Sequence, residues 1–578
     1  MIRRFAPRAM ALAAIPLASL RAQEVLRPPV APSGRLTTAC AGQRIDDIVI
    51  YSEAPSVANL QRVPVLAKIA RSVHATTRPE LIRRFLLLEE TQPCTELRRA
   101  ESERILRAQP FIADADVFVI PNDHGGVELE VRTSDEVSIV FGGSVRAQSP
   151  NVSFLLLGNA NLAGQGVFLS GAWRDGSDLR DAFTLRLEDH QFLGKPWVFS
   201  SEFERATLGG SYRVEGTQPF LTDLQRVAWR VRTGMSKGYV ELRMPGEDTP
   251  TLATERKYFD IGGIIRVGPP GRLSLFGASL TGDDERTGDR LLLPKDGVLV
   301  DVGQSPRIYP AHKIARANVL WGVRDIRFVR REGLDALNAT QDVPVGFQLG
   351  TLFGRSVAML GAREDDIFMA GDLYIGASKG IATLRVQAQG EGRRGSGVSQ
   401  WDGVLTTGRV THYLKFSPWH LNQATVEWSG GYRQRTPFQL LIGVPDGGVR
   451  GYEESRLAGG QRIVGRVEER FRLGKVSDLA DAGIAFFADA GRMWAGDVPF
   501  GSNTGVKTSI GFSLLGAAPI HSARMWRVDF ALPLSSEANS RFTVKVSNID
   551  RTQFVFREAR DVFVGRELTV PSSIFAWP

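Results

Sequence analysis

The sequence predicts a transmembrane antiparallel β-barrel of about 16 strands, preceded by a small α+β domain. Three observations support this fold class: an export signal, no later apolar run long enough for a membrane-spanning helix, and about 410 residues of alternating strands without helices between them. Lipid accepts only helices and closed sheets across its hydrocarbon core. An exported chain with these features therefore crosses a membrane as a barrel.

Composition excludes several other classes. The 578 residues are 43% hydrophobic and 23% charged, which fits neither a disordered chain nor a bundle of membrane helices. The net charge of +8 is scattered along the chain, so no nucleic-acid partner is expected. Two cysteines are too few for a disulfide scaffold or a thiolate zinc site. The seven histidines show no metal-ligand spacing, and we expect neither a metal nor another cofactor.

Residues 1–23 have the pattern of a signal peptide. Three arginines precede an apolar run from Ala9 to Leu20, and cleavage is expected near residue 22 or 23. The alternative is an uncleaved anchor helix, which would need about 18 to 20 uninterrupted apolar residues. Pro16 interrupts this run. Residues 24–39 are then a linker to the first folded unit.

Residues 40–135 change their hydrophobic period in the order strand, helix, helix, strand, strand. The elements are a strand at Ile45–Ile50, a first helix opened by the capping pattern Thr77–Glu80 after a helix-compatible stretch at 57–74, a second helix at Glu96–Arg107, and two strands joined by the hairpin signal Asn122–Gly126. Leu81, Phe85 and Leu88 are expected to line one helical face. This region is predicted to be a small α+β domain.

Residues 136–548 repeat alternating runs separated by Gly, Pro, Asp and Asn. Phe183, Leu185 and Leu187 alternate with polar residues, as do Trp526, Val528, Phe530 and Leu532. A soluble β-sandwich also alternates, but export and the absence of helices favour a barrel with lipid outside and a wet lumen. Between 16 and 20 segments qualify as strands, and a short one such as Gly210–Val214 could be a loop hairpin.

The end of the chain leaves two alternatives open for the closing strand. Phe542–Val546 has the right alternation, but Gln553–Phe556 has it too. Residues 549–578 are predicted to be a C-terminal tail, and the sequence gives it no role.

Specific motifs appear late in the barrel region. A glycine-rich run, Leu441–Gly448, leads into Val449-Arg450-Gly451-Tyr452. Strands containing Val467-Glu468-Glu469-Arg470-Phe471, Phe487-Ala488-Asp489-Ala490-Gly491 and Arg527-Val528-Asp529 follow. Upstream, Asn161-Leu162-Ala163-Gly164-Gln165-Gly166 stands between two strands.

These motifs resemble those of the outer-membrane insertase and translocator superfamily, which includes the BamA and TamA proteins and the two-partner secretion transporters. The resemblance implies that the loop carrying Val449, Arg450, Gly451 and Tyr452 folds back into the lumen and faces the strand motif of Phe487, Asp489 and Gly491. Residues 40–135 resemble a POTRA domain. That resemblance implies binding of extended polypeptides along a sheet edge.

An inward loop has a physical consequence for Arg450. A guanidinium in a low-dielectric lumen needs acceptors, and strand parity points Asp489 and Glu468 inward as its partners. Gly451 would permit a tight turn, and Tyr452 would supply a packing face. Parity aims Glu469 at lipid. The alternative reading of Val-Arg-Gly-Tyr alone is a surface loop.

Cys40 and Cys94 both lie in the N-terminal domain, before its first strand and before its helix at Glu96–Arg107. Export makes an oxidising compartment the expected environment, so a disulfide between them is predicted. Two buried free thiols are the alternative.

No residue is a candidate for catalysis, so we do not expect an enzyme. Gly376-Ala377-Ser378-Lys379-Gly380 fits a hydrolase pattern, but it lies between two alternating strands and is predicted to be a hairpin turn. The resemblance implies an assembly or translocation factor in the outer membrane of a Gram-negative-type bacterium, with its N-terminal domain in the periplasm. Its expected partners are unfolded or β-rich client polypeptides, outer-membrane lipids and accessory lipoproteins. The alternatives are a passive channel or receptor, and a transporter dedicated to one secreted partner.

Overall fold

A computed structural model gives the fold of this chain. It describes residues 31–55, 75–145, 152–174, 179, 181–246, 249–395, 400–444, 447–476, 479–550 and 558–566. The predicted signal peptide, the helix-compatible stretch at 57–74 and the alternative closing strand at 553–556 lie outside the described residues.

The N-terminal domain is a four-stranded sheet covered by helices. Its elements are β1 (Ala41–Glu53), α1 (Pro79–Arg83), β2 (Pro93–Thr95), α2 (Glu96–Arg107), β3 (Ile112–Pro121) and β4 (Val127–Asp135). The strand order is β2-β1-β4-β3, with β1 parallel to β4 and the other pairs antiparallel. Alternate residues of β3 and β4, such as Val117 opposite Val131 and Val119 opposite Leu129, face the core. This is the small α+β domain that the sequence predicts.

One detail of the first helix differs from the sequence prediction. The helix α1 ends at Arg83, and its N-cap is Arg78 without a side-chain cap. The Thr77 hydroxyl donates to Asp135 Oδ1 over 2.6 Å instead of capping the helix. A charged acceptor on β4 forms the stronger hydrogen bond, so the predicted capping box does not form.

The rest of the described chain is a β-rich region built around a closed antiparallel barrel. Its strands are β5 (Ile139–Val145), β6 (Val152–Asn159), β7 (Val167–Arg174), β8 (Ala182–Asp189), β9 (Val198–Ala206), β10 (Gly209–Gln218), β11 (Val227–Glu241), β12 (Thr251–Val267), β13 (Arg272–Thr287), β14 (Arg290–Lys295), β15 (Val298–Gln304), β16 (His312–Glu332), β17 (Thr340–Ser356), β18 (Asp366–Lys379), β19 (Ala382–Gly395), β20 (Asp402–Ser417), β21 (His420–Tyr432), β22 (Leu440–Leu441), β23 (Ala458–Gly459), β24 (Gln461–Val476), β25 (Ala480–Trp494), β26 (Lys507–Ala517), β27 (Arg524–Pro533) and β28 (Thr543–Asp550). A short helix, α3 (Arg560–Gly565), follows the last strand.

Within the described ranges, twenty strands form the wall. The hairpin β14–β15 is not counted, because β13 pairs directly with β16 and the hairpin extends beyond them. β22 and β23 form a separate small sheet. The predicted count of about 16 is therefore too low. The early strands β5 to β10 are only 7 to 10 residues long, so an average spacing taken over the whole region underestimates their number. Gly210–Val214, considered as a loop hairpin, belongs to the wall strand β10.

The alternation predicted from the sequence matches the two faces of the wall, with apolar residues outside and charged residues inside. Phe183, Leu185 and Leu532 are exposed on the outside, whereas Arg527 and Asp529 are buried inside. A barrel with an apolar outer face and charged inner positions is the expected arrangement in a membrane. None of the helices in the described ranges is both long and apolar enough to span a membrane.

Turns that fold inward fill part of the lumen with apolar clusters, beside the predicted charged positions. The turn after β10 places Phe220 in an apolar cluster with inward residues such as Ile264 and Leu275. The turn after β16 buries Leu334 and Leu337, and Leu337 packs against Ala485, Leu515, Ala517 and Met525 of the wall. Alternation alone cannot show that turns fold inward and cover these positions.

The N-terminal domain defines one end of the barrel, here called the domain end; the opposite end is the loop end. Arg107 of α2 donates to both carboxylate oxygens of Asp342 on β17, at 2.8 to 3.0 Å. Arg524, the first residue of β27, donates to the Pro110 carbonyl over 2.5 Å. The last strand, β28, ends where Asp550 pairs with Arg524, and so it ends at the domain end.

Candidate functional site in the barrel lumen

A long link between β21 and β24 turns from the loop end back into the lumen. This segment, residues 433–460, is called the inward loop. Ile442, Val449 and Tyr452 of the loop are fully or almost fully buried, and they pack with the inward wall residues Val464 and Met493. Apolar side chains would be unfavourable in a water-filled pore, so this cluster holds the loop inside.

Arg450 binds the loop to the wall by an ion pair with Asp489 on β25. Its Nε donates to Asp489 Oδ2 over 2.7 Å, and its Nη2 donates to Asp489 Oδ1 over 2.6 Å. The backbone N–H of Arg450 also donates to Asp489 Oδ2, at 3.2 Å. Planar fork geometry of this kind is specific to arginine, because an ammonium group offers only a point charge.

The other two residues of the strand motif contact the same loop. The Arg450 guanidinium carbon lies 3.5 Å from the centre of the Phe487 ring, which is a cation–π contact. At Gly491, a Cβ atom would lie only 2.6 Å from Val449 Cγ2. The spacing Phe-x-Asp-x-Gly therefore places three residues on consecutive inward positions of β25. The first supplies a ring, the second a carboxylate, and the glycine leaves room for Val449.

Glu468 on β24 connects Arg450 to a wider charge network. It accepts from Arg450 Nη1 at 3.2 Å and from Arg527 Nη2 at 2.6 Å. Arg470 donates to its other oxygen at 3.0 Å, and Arg527 also binds Asp529. Buried charges are tolerated when each has a partner of opposite sign, and these arginines and carboxylates satisfy one another.

Gly451 and Tyr452 complete the motif. Gly451 has φ +87°, a conformation that L side chains rarely adopt, and a Cβ atom there would lie 3.1 Å from Pro533 Cδ. The Tyr452 hydroxyl donates to the Thr508 carbonyl over 3.1 Å. These two residues extend the loop contacts to β26 and β27.

Glu469 lies on the other face of β24. Its carboxylate binds His420 Nε2 and Asn422 Nδ2, each at 2.7 Å, and its side chain is 41% exposed. The register of β24 therefore points Glu468 inward and Glu469 outward.

Sequence reasoning missed two further contacts of the inward loop. Arg466 on β24 donates to the Gly448 carbonyl over 2.9 Å. Arg462, also on β24, donates to the Leu441 carbonyl and to Asp561 of α3. The inward parity of Arg462 and Arg466 was a usable signal, but nothing in the tail sequence pointed to Asp561.

A disulfide joins Cys40 and Cys94 in the N-terminal domain, with a Cα–Cα distance of 5.0 Å. It ties the start of β1 to β2, which directly precedes α2. The two cysteines enclose a sequence separation of 54 residues, so the bond restricts a large part of the domain when unfolded.

The Asn161–Gly166 motif forms a turn that holds the N-terminal domain. Asn161 Nδ2 donates to Thr77 Oγ1 over 2.8 Å, while its Oδ1 accepts from the Gly166 N–H at 2.7 Å. The Arg78 N–H donates to the Gly164 carbonyl at 3.0 Å, and a Cβ atom on Gly164 would lie 2.2 Å from the Thr76 oxygen. The glycine therefore allows two backbones to approach closely.

A second turn at the domain end repeats this geometry. Ala163 and Leu193 have nearly equal φ values, +54° and +56°, each followed by a glycine of positive φ. Gln191, at the position equivalent to Asn161, donates to the Leu81 carbonyl of α1 over 2.9 Å. Two consecutive turns therefore bind α1 and the residues directly before it, and only the first turn was evident from the sequence pattern.

One group in the lumen has the donor types of a metal site. The ligand atoms of Asp283, Glu285 and His312 all lie within 4.8 Å of one another. Arg256 donates to both Asp283 oxygens and lies 3.5 Å from Glu285. The Arg256 guanidinium already lies against both carboxylates and balances one of their two negative charges, so these residues form an ion-pair network.

The hydrolase-like pattern has no hydrolase geometry. Gly376–Lys379 belongs to β18, and Gly380 lies in the turn to β19. Ser378 Oγ lies 2.9 Å from Thr383 Oγ1 and accepts from Arg331. A nucleophile elbow needs a following helix, which this strand-to-strand turn does not provide.

Residues 429–557 match the Omp85 superfamily domain, a span that holds the inward loop and the last five wall strands. The match covers this C-terminal part of the barrel, and proteins of the Omp85 superfamily are β-barrels of the bacterial outer membrane. No curated protein sequence matches the chain.

Among solved structures, one similar protein is BamA from Haemophilus ducreyi lacking POTRA domains 1–3, at 11% identity over 88% of this chain and 85% of that chain, with a TM-score of 0.34. CdiB from Escherichia coli has 12% identity over 88% and 76%, with a TM-score of 0.42. CdiB from Acinetobacter baumannii has 10% identity over 88% and 74%, with a TM-score of 0.40. At these TM-scores the fold assignment depends on the chain's own strands.

Proposed function

We propose that this protein is an outer-membrane assembly or translocation factor, which captures exported polypeptides in the periplasm and inserts them into the outer membrane or passes them through it. The observation that carries the proposal is the inward loop, bound through Arg450 to Asp489 and Glu468 within the Omp85 superfamily domain. In this proposal the domain end faces the periplasm and the loop end faces the cell exterior.

The N-terminal domain supplies the capture step, as a POTRA-like module. On the side away from β4, strand β2 pairs with β1 only at Ala41 and Arg44. Ile45 still bonds to Gln92 and Thr91 through its backbone, but the part of β1 from Asp46 to Glu53 is an edge on which a client strand could form main-chain hydrogen bonds. On this side of β1, Arg83 donates to the Ile48 carbonyl over 2.8 Å, and a client strand would compete with this side chain.

The wall seam between the first and last strands supplies the insertion step. β5 has 7 residues and β28 has 8, whereas strands on the opposite side of the wall, such as β16 and β17, have 21 and 17. β6, β7 and β8 are equally short, but they follow one another along the chain, whereas β5 and β28 lie far apart in sequence. A short strand pair offers few hydrogen bonds, so this seam is the place where a client strand could enter the wall at least cost. No covalent chemistry or nucleotide is needed for such an exchange.

The filled lumen favours this function over a passive channel. The inward loop occupies the lumen from the loop end, and the turns carrying Phe220 and Leu337 occupy it from the domain end. A diffusion pore needs a wide, continuous aqueous path, and these apolar clusters take up part of it.

Depletion in the native host tests the proposal. The outer-membrane proteome is quantified in depleted cells that carry the wild-type protein, the Arg450→Ala variant or the Arg492→Ala variant. Arg492→Ala is the matched control, because Arg492 is an exposed residue of β25. We expect depletion to reduce several unrelated outer-membrane proteins, Arg492→Ala to restore them, and Arg450→Ala to restore them poorly.

The other outcomes separate the alternatives. Loss of a single surface protein would identify a dedicated secretion transporter. A solute-uptake defect with a normal outer-membrane proteome would identify a channel or receptor and overturn the proposal.

A further inference from the structure

The C-terminal segment of residues 558–566, which contains α3, lies in the lumen near the loop end. The last wall strand ends on the opposite side, at the domain end, where Asp550 pairs with Arg524. The segment nevertheless contacts Arg462, the second residue of β24, and Glu391 near the end of β19. Both wall positions belong to the loop end, and both side chains are buried inside the barrel.

Apolar contacts join this segment to the inward loop. Ala559 and Val562 are 1% and 0% exposed, and they belong to the same cluster as Phe438, Ile442 and Val449. The fit is close, because a Cβ atom on Gly565 would lie 2.5 Å from Phe438 Cδ2 and one on Gly447 would lie 2.3 Å from Ala559 Cβ. Packing at this density is typical of a protein interior rather than of a mobile tail.

Two ion pairs bind the segment to the wall, one at Asp561 near its middle and one at its last residue, Arg566. Asp561 accepts from Arg462 Nη1 at 2.6 Å and from the Leu441 N–H at 2.9 Å. Arg566 donates to Glu391 Oε2 at 2.9 Å and also binds Glu558. The first pair joins the segment to β24 and to the loop, and the second joins it to β19 across the lumen.

The segment therefore connects two sides of the wall, β24 and β19. The inward loop is bound to β24, β25 and β26, and the segment occupies the space between that loop and β19. Arg566 and Gly565 also line a small cavity of about 20 Å³, whose other lining residues include Arg256, His312 and Arg393 of the facing wall.

We propose that residues 558–566 are a plug, which together with the inward loop closes the loop end of the lumen to ions and small solutes. This goes beyond the proposed function, since it concerns the closed state of the barrel and not the handling of clients. Two ion pairs and one apolar face hold the plug. A local rearrangement can break these contacts, so the plug can leave the lumen while the wall stays folded.

Conductance of the purified full-length protein in planar lipid bilayers tests this proposal, with potassium chloride as the permeant. Asp561→Arg would repel Arg462, and Gly565→Leu would collide with Phe438; the two changes displace the plug by unrelated means. Phe563→Ala is the matched control, because this α3 side chain is 49% exposed. A chain ending at residue 557 lacks the plug altogether.

We expect a several-fold rise in open probability for Asp561→Arg, Gly565→Leu and the shortened chain, with Phe563→Ala resembling the wild type. Heat-modifiable gel mobility shows whether each barrel is folded. If a substituted variant does not fold, the shortened chain still tests the proposal. Equal conductance in the wild type and the shortened chain would overturn the proposal. The bilayer contains no client, so this result is independent of the assembly function.

Discussion

Arg450 and Asp489 form a two-point ion pair inside the barrel, with Nε 2.7 Å from Oδ2 and Nη2 2.6 Å from Oδ1. The pair joins a loop that enters from one end to a wall strand, and Phe487 covers the guanidinium with its ring. Removing one partner of such a pair leaves an uncompensated charge in a site from which water is largely excluded.

Arg450→Ala is therefore expected to destabilise the barrel by about 3–5 kcal/mol, the usual cost of breaking a buried ion pair. Arg450→Lys should be intermediate, because lysine keeps the charge but cannot form the fork. The midpoint of the heat-induced gel shift measures this, with Arg492→Ala as the exposed control on the same strand. A midpoint unchanged by Arg450→Ala would show that the pair does not hold the loop.

Gly491→Ala is expected to displace the inward loop by overpacking. Its Cβ would lie 2.6 Å from Val449 Cγ2, and overpacking of this kind costs about 1–3 kcal/mol. Gly465→Ala on β24 is the matched control, since the nearest atom to its Cβ is 4.0 Å away. The heat-shift midpoint should fall only for Gly491→Ala and recover in the Gly491→Ala/Val449→Ala double variant. Lack of recovery would mean that Val449 is not the colliding group.

Asn161→Ala is expected to loosen the N-terminal domain from the barrel. It removes the hydrogen bond to the buried Thr77 hydroxyl and the one from the Gly166 N–H, and an unsatisfied buried group costs about 1–3 kcal/mol. Hydrogen exchange should speed up in peptides covering residues 75–83. Gln165→Ala, an exposed change in the same turn, should leave exchange as in the wild type. Equal exchange in all three proteins would contradict the docking role of this turn.

Asp114 gives the N-terminal domain a pH dependence. Burial raises the pKa of this carboxyl, with a further contribution from Asp116, while Arg107 opposes the shift. A raised pKa means that the folded domain favours the protonated form, so ionisation destabilises it as the pH rises from the ordinary aspartate pKa through the raised one. Above that range the full penalty remains.

Asp114→Asn should therefore slow hydrogen exchange in β3 at neutral pH, and the difference from the wild type should vanish in acid, below the ordinary aspartate pKa. Each comparison is made at one pH, so intrinsic exchange rates cancel. Asp123→Asn, in the exposed turn between β3 and β4, is the control. Faster exchange in Asp114→Asn at neutral pH would reverse the assigned sign.

Alternation made much of the barrel predictable. The period of two assigned Phe183 and Leu185 to lipid and Arg527 to the lumen, because a strand has only two faces and lipid rejects charge. The same parity pointed Asp489 and Glu468 inward, and the structure brings both to Arg450. The strand number was not predictable this way, because short strands such as β10 have the length of a loop hairpin.

Contacts between distant segments could not be predicted. Asp561 meets Arg462 across 99 positions of sequence, and Arg107 meets Asp342 across 235. Neither pair lies on elements whose period fixes their relative position, so a local pattern contains no information about them. The apolar turns inside the lumen, with Phe220 and Leu337, were missed for the same reason.

The most direct test of the central claim is the rate at which this protein, reconstituted in liposomes, promotes folding of a denatured outer-membrane β-barrel client. We predict that wild-type protein and Arg492→Ala accelerate appearance of the folded client band over empty liposomes, and that Arg450→Ala accelerates it much less. A client folding rate that is the same with wild-type protein as with empty liposomes would contradict the claim.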